Sequence, residues 1–139
     1  MAFLVWLDEW NLGIPEIDEQ HLQLAERLNR IVFSLDGPDT PSQPNEETMP
    51  LVIELLDETK QHFQDEEEIM RGHDYPELVE HRRDHIMLLA ELREFIRDVE
   101  EGRHTFGLDS MISLKHWLIN HIVDSDLAFA RYLEEYTSS

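Results

Sequence analysis

Every long apolar stripe in this chain carries histidine on the side that must be buried. Five of the eight histidines (His21, His62, His81, His85 and His121) fall on faces otherwise made of leucine, isoleucine, valine and phenylalanine at the period of an amphipathic helix. Carboxylates accompany them at helical spacing: Glu66 follows His62, and Asp124 and Asp126 follow His121. One histidine on an apolar face is usually a packed or hydrogen-bonded side chain. Five, on stripes that turns fold back on one another, predict a single buried polar centre.

The stripes also dictate the fold. An N-terminal arm, about residues 1–18, holds Gly13 and Pro15 and reads as ordered chain without a regular element, with Asp18 as N-cap of a helix over about 19–35. Asp36 to Asn45 contains Gly37, Pro38, Pro41 and Pro44 and reads as a loop. A second helix, about 48–71, places Val52, Leu55, Thr59, His62, Phe63, Glu66 and Met70 inside and ends at Gly72. A third, about 76–101, turns Leu78, His81, His85, Leu89, Leu92 and Ile96 inwards. A fourth, about 109–135, buries Met111, Leu114, Trp117, Leu118, His121, Ile122 and Phe129. No segment alternates at strand period. Short turns near Gly72 and Gly102 make successive helices antiparallel, so residues 1–139 are expected to form one all-α domain: an antiparallel up-down-up-down four-helix bundle with an N-terminal arm.

Composition narrows the partners. A formal net charge of −20 opposes nucleic acid and anionic membrane, and it repels other copies of the chain, which favours a monomer. The chain has no cysteine, so thiolate metal sites, iron–sulfur clusters and disulfides are excluded. The run Phe3-Leu4-Val5-Trp6-Leu7 is short for a signal peptide core and meets Asp8 and Glu9 at once. No stretch approaches the roughly 20 apolar residues of a membrane span. A cytoplasmic protein without membrane insertion is expected.

Imidazole and carboxylate donors together suit iron, manganese and zinc, and are too rich in nitrogen for calcium or magnesium. Five imidazoles exceed what one tetrahedral site needs, and two carboxylates can bridge a pair of ions, so the donor count favours a dinuclear centre. In the acidic run Asp65-Glu66-Glu67-Glu68 only Glu66 shares the stripe of His62, and its neighbours read as a solvated face. After His121 the choice stays open: Asp124 lies nearer the histidine's face on an ideal helix, Asp126 about 140° away. His73, His104 and His116 read as turn or surface residues. The di-iron signature Glu-x-x-His occurs only at Glu101 to His104, across a turn, and the zinc-protease and haem-attachment motifs are missing.

At this level of detail the chain resembles the hemerythrin family, in its single-domain bacterial form, bacteriohemerythrin. The matching segments are Gly13-Ile14 with Ile17-Asp18-x-Gln20-His21-x-x-Leu24, then His62-Phe63-x-x-Glu66-Glu67-x-x-Met70. Tyr75-Pro76 with His81-x-x-x-His85, and Trp117-Leu118-x-Asn120-His121-Ile122-x-x-x-Asp126, complete them in family order. The proline-rich segment Asp36 to Pro50 departs from the family pattern. The resemblance implies a non-haem centre of two iron ions, one held by His81, His85 and His121, the other by His21 and His62, with Glu66 and Asp126 bridging. It thereby selects Asp126 over Asp124 and puts Leu118 beside an oxygen pocket. It implies reversible dioxygen binding, for carriage, storage or sensing, in a protein that is not an enzyme. The alternatives are a di-iron peroxidase or oxidase, and an oxygen or redox sensor acting through a partner protein.

Overall fold

Proline suits the first position of a helix, where its fixed φ is already helical and its missing N–H has no partner to lose. In the computed structural model, which describes residues 4–35, 46–103 and 106–137, the first helix (α1) accordingly runs from Pro15 to Ser34. Its start precedes the expected one, and Asp18 is not its N-cap. The Asp18 carboxylate instead turns back to accept the N–H groups of Leu12 at 2.7 Å and Gly13 at 3.1 Å. Gly13 has φ +85°, the left-handed conformation that lets the arm double back at this point. Farther up, the Asn29 amide accepts from the Leu4 N–H at 2.7 Å and donates to the Leu4 carbonyl at 2.9 Å. Between these clamps lies a single 3-10 turn, Asp8–Trp10.

Helix α2 spans Thr48–Gly72 and α3 spans Leu78–Glu100, starting beyond Pro76, which stays in the turn. Helix α4, Leu108–His121, passes into a π-helical turn, Ile122–Asp126, and continues as α5, Leu127–Thr137. The fourth rod of the bundle is therefore three pieces where one uninterrupted helix was expected. Among the described residues there is no strand, and no helix is long and apolar enough to cross a membrane. The proline-rich segment 36–45, expected as a loop, and His104 lie outside the described residues.

Contacts between helices run in opposite senses along each pair. Gln20 meets Asp65 while Arg27 meets Glu54 and Glu58, so α1 and α2 are antiparallel. Glu66 meets His81 and Phe63 meets His85, so α2 and α3 are too. Phe95 packs on Phe106 at one end while His81 faces Asp126 at the other, which sets α3 against the fourth rod. The result is an all-α, up-down-up-down four-helix bundle.

Among the described residues, buried apolar side chains form three blocks. The largest contains Leu24, Leu28, Ile31, Val52, Leu55, Leu92, Ile96, Met111, Leu114 and Leu118; two smaller ones, at the other end, contain Met70, Tyr75 and Phe129, and Leu12, Ile17 and Ala130. Between them lies one polar layer, and it holds the histidines.

Candidate metal centre

All four rods of the bundle contribute to this layer, and the apolar period of α1 to α4 carries the histidines and Glu66 inwards. His21 comes from α1, His62 and Glu66 from α2, His81 and His85 from α3, His121 from the end of α4 and Asp126 from the end of the π turn. All seven are buried, with His21, Glu66 and Asp126 at 0% exposure. His73 and His116 are on the surface, as is Asp124.

Asp126 and not Asp124 reaches the centre, so the ideal-helix argument for Asp124 is corrected. The physical reason is the π turn. Leu127 N–H donates to the Ile122 carbonyl five residues back, so this turn holds one residue more than an α-helical turn. A residue five positions after His121 thus returns to its face, where on an α-helix it would point about 140° away.

The donor atoms form two groups that share both carboxylates: Glu66, His81, His85, His121 and Asp126 on one side, His21, His62, Glu66 and Asp126 on the other. Glu66 Oε1 lies 2.8 Å from His81 Nε2 and 3.2 Å from His85 Nε2. Its other oxygen lies 3.3 Å from His62 Nε2 and 3.7 Å from His21 Nε2. Asp126 divides in the same way, with Oδ1 at 3.0 Å from His81 Nε2 and 3.2 Å from His121 Nε2, and Oδ2 at 3.1 Å from His21 Nε2. Each carboxylate therefore offers one oxygen to each histidine group.

Proximity here is not hydrogen-bond satisfaction. Both oxygens of Asp126, Oε2 of Glu66 and both ring nitrogens of His21 are buried without a hydrogen-bond partner among the described residues. Nε2 of His85 and Nε2 of His121 face each other at 3.2 Å. Leaving such groups dry and unpaired costs several kcal/mol in all. Cations between the carboxylate oxygens and the imidazole nitrogens would supply partners for them, and the donor set, nitrogen and oxygen without sulfur, fits iron.

Charges within the cluster point the same way. Burial acts to lower the His21 and His81 pKa values, but Asp126 and Glu66 outweigh it and raise them to about 9 and about 10. Burial pushes the Glu66 carboxyl up, yet contacts with His21, His62, His81 and His85 hold it well below the usual carboxylate range. Asp126 is held down at about 2 by His121 and His21, against burial and the charge of Glu66. In the metal-free protein the raised histidines and the lowered carboxylates thus hold opposite charges against one another.

A pH dependence follows. The raised histidine pKa values stabilise the metal-free fold fully below about pH 6.5, and this stabilisation is lost as pH climbs through about 9 to 10. The lowered Asp126 value acts above about pH 4 and is lost only towards about pH 2. Metal needs neutral imidazoles, so its affinity runs the opposite way and rises with pH. Loading the metal-free protein at pH 7 should release protons, those of His21 and His81 among them. A pH-stat titration showing no proton release would contradict this charge state.

Two acidic neighbours are not the solvated face they were expected to be. Glu67 accepts from His85 Nδ1 at 2.8 Å and is itself met by Arg82 Nε at 3.2 Å. Asp65 binds the Gln20 amide at 2.9 Å, and Gln20 in turn faces His62 Nδ1 at 2.7 Å. Glu68 alone in that run is exposed. Periodicity could not reveal these roles, because they depend on which side chains the neighbouring helices present. Aromatic rings close the layer. Phe63 stacks on His85 with centroids 3.8 Å apart, and Trp6 of the arm lies 5.8 Å from the His21 ring. Leu118, 3% exposed, sits one turn before His121 in the largest apolar block. On the His121 side a cleft of about 430 Å³ opens between α3 and α4, lined by Met87, Leu88, Trp117 and the acidic Asp84, Glu91 and Asp124.

Fold and site together define a four-helix-bundle protein with a buried histidine–carboxylate metal centre. Residues 12–133 match the profile of the Hemerythrin HHE cation binding domain. The chain belongs to the hemerythrin family. It is 34% identical to a bacteriohemerythrin of Stenotrophomonas maltophilia, covering 94% of this chain and 81% of that one. A bacteriohemerythrin of Pseudomonas aeruginosa is 30% identical over 93% of this chain and 80% of its own. The crystal structure of a wild-type hemerythrin superposes with a TM-score of 0.80 at 20% identity, covering 94% of this chain and 97% of the other.

Proposed function

We propose that residues 1–139 form one hemerythrin domain that binds dioxygen reversibly at a non-haem di-iron centre. One observation carries the reading: Glu66 and Asp126 each present one oxygen to His81, His85 or His121 and the other to His21 or His62. That is the donor arrangement for a bridged pair of ions. His81, His85 and His121 would hold one iron and His21 and His62 the other, with Glu66 and Asp126 shared between them. The second group has one donor fewer and so leaves room for an exogenous ligand.

When bound, a ferrous pair supplies the two electrons that dioxygen draws on as it binds. The protein's part is orientation and exclusion. Glu67 and Gln20 fix the rings of His85 and His62 through their Nδ1 atoms. Phe63, Leu118 and Trp6 surround the layer with apolar surface, which keeps water and small anions from the reduced pair. Family membership favours a binding protein over an enzyme. A net charge of −20 favours a monomer, and we place the chain in the cytoplasm.

The test is anaerobic reconstitution with ferrous iron, followed by elemental analysis and visible spectra before air, after air and after argon purging. Two irons per chain and an oxygenated spectrum that purging reverses are the expected results. One metal per chain would overturn the dinuclear assignment. Irreversible oxidation on the first exposure to air would replace the carrier reading with an oxidase-type one.

A further inference from the structure

We propose that Asp65 is a positioning residue for the centre: acting through Gln20, it fixes the tautomer in which His62 offers a bare Nε2. The proposal rests on the metal-binding reading above. The relay is two hydrogen bonds long. Gln20 Nε2 donates to Asp65 Oδ2 at 2.9 Å, and Gln20 Oε1 faces His62 Nδ1 at 2.7 Å. An ionised carboxylate can only accept, so Asp65 draws the amide NH₂ of Gln20 to itself and turns the amide oxygen to the ring. The amide oxygen also can only accept, and at 2.7 Å it is closer than Glu66 Oε2 is to Nε2 at 3.3 Å, so in the neutral ring the proton sits on Nδ1 and Nε2 keeps its lone pair. Gln61 Nε2 donates to the second oxygen of Asp65 at 2.9 Å, which holds the carboxylate in place.

Without Asp65, the Gln20 amide can rotate and donate to Nδ1. The ring proton then moves to Nε2, where it occupies the position a metal needs. The other half of the centre is organised differently, since His85 Nδ1 meets the Glu67 carboxylate directly. A neutral amide at His62 orients the ring without placing a second negative charge against it.

The experiment uses the full chain, with Zn²⁺ titrated against a competing chromophoric chelator. Nitrogen-15 shifts of His62 are read in parallel on metal-free protein at alkaline pH. Asp65→Ala should weaken the weaker of the two zinc equivalents roughly 10–100-fold and move the His62 proton towards Nε2. Asp65→Asn, which keeps an acceptor oxygen, should stay near the parent in both readings. Gln20→Glu presents an acceptor to Nδ1 whatever stands at position 65, so it should restore both readings in the Asp65→Ala background. A merely structural Asp65 would not give that rescue. An unchanged tautomer in Asp65→Ala overturns the relay, and so does an equal loss in Asp65→Asn, which would assign the effect to charge alone. Parent protein that takes up no zinc overturns the metal-binding reading instead, and the tautomer shifts then decide the relay by themselves.

Discussion

Replacing Asp126 with alanine will empty or scramble the metal centre, while Asp124→Ala will leave metal content and spectrum unchanged. Asp126 is fully buried and touches His21, His81 and His121, whereas Asp124 is exposed on the rim of the neighbouring cleft. The loss extends to the metal-free fold. Asp126 holds the His21 and His81 imidazoliums, and removing one partner of a buried ion pair costs roughly 3–5 kcal/mol. Part of that cost is relieved as the two histidines deprotonate, so the destabilisation should be larger at pH 6 than above about pH 9 to 10. Elemental analysis and denaturant titrations at the two pH values check both statements. An Asp126→Ala protein with full metal content would remove the bridging role from this residue.

Leu118→Ala is expected to separate packing from oxygen chemistry. As a buried leucine it should lose roughly 2–5 kcal/mol on truncation, and so should Leu92, which is 1% exposed in the same apolar block. Of the two, Leu118 lies one turn from a histidine of the centre and Leu92 lies two turns from one. Truncation of Leu118 should admit water or anions and hasten decay of the oxygenated spectrum, and Leu92→Ala should not. The comparison is made at matched folded fraction, because destabilisation alone also speeds oxidation. Equal decay in both variants would leave Leu118 as packing and remove the pocket from the mechanism.

The centre occupies a layer where a bundle would otherwise place leucine, which bears on how the fold is stabilised. Apolar blocks on both sides supply the burial energy, and the polar layer contributes only when its charges are matched. A bound metal would then act as a stabilising ligand of the native state, and its removal should lower the melting temperature most at alkaline pH, where protons no longer substitute for it. The same layer tolerates no half measures: an unpaired carboxylate at 0% exposure is a larger liability than a missing methyl group.

Much of this protein is legible in its sequence because helical periodicity is a local property. The stripes of α1, α2 and α3 predict the bundle, and the histidines on them predict where the polar layer falls, since residues on one buried face must meet the core. The residues that bring the chain into the hemerythrin family stand in the sequence in order. Three features needed the tertiary structure. The π turn at Ile122–Asp126 reverses the helix-face argument by adding one residue to a turn, and the 3.6-residue period carries no sign of it. The first helix starts at Pro15 because Asp18 is claimed by the N–H groups of Leu12 and Gly13, a competition settled by where the arm folds back. Asp65 and Glu67 leave the solvated face because α1 presents Gln20 to one and α3 presents His85 to the other. Periodicity tells which side of a helix is buried; it does not tell what stands opposite. The partners of a side chain are fixed by the register between helices, and register is set by packing of the whole bundle.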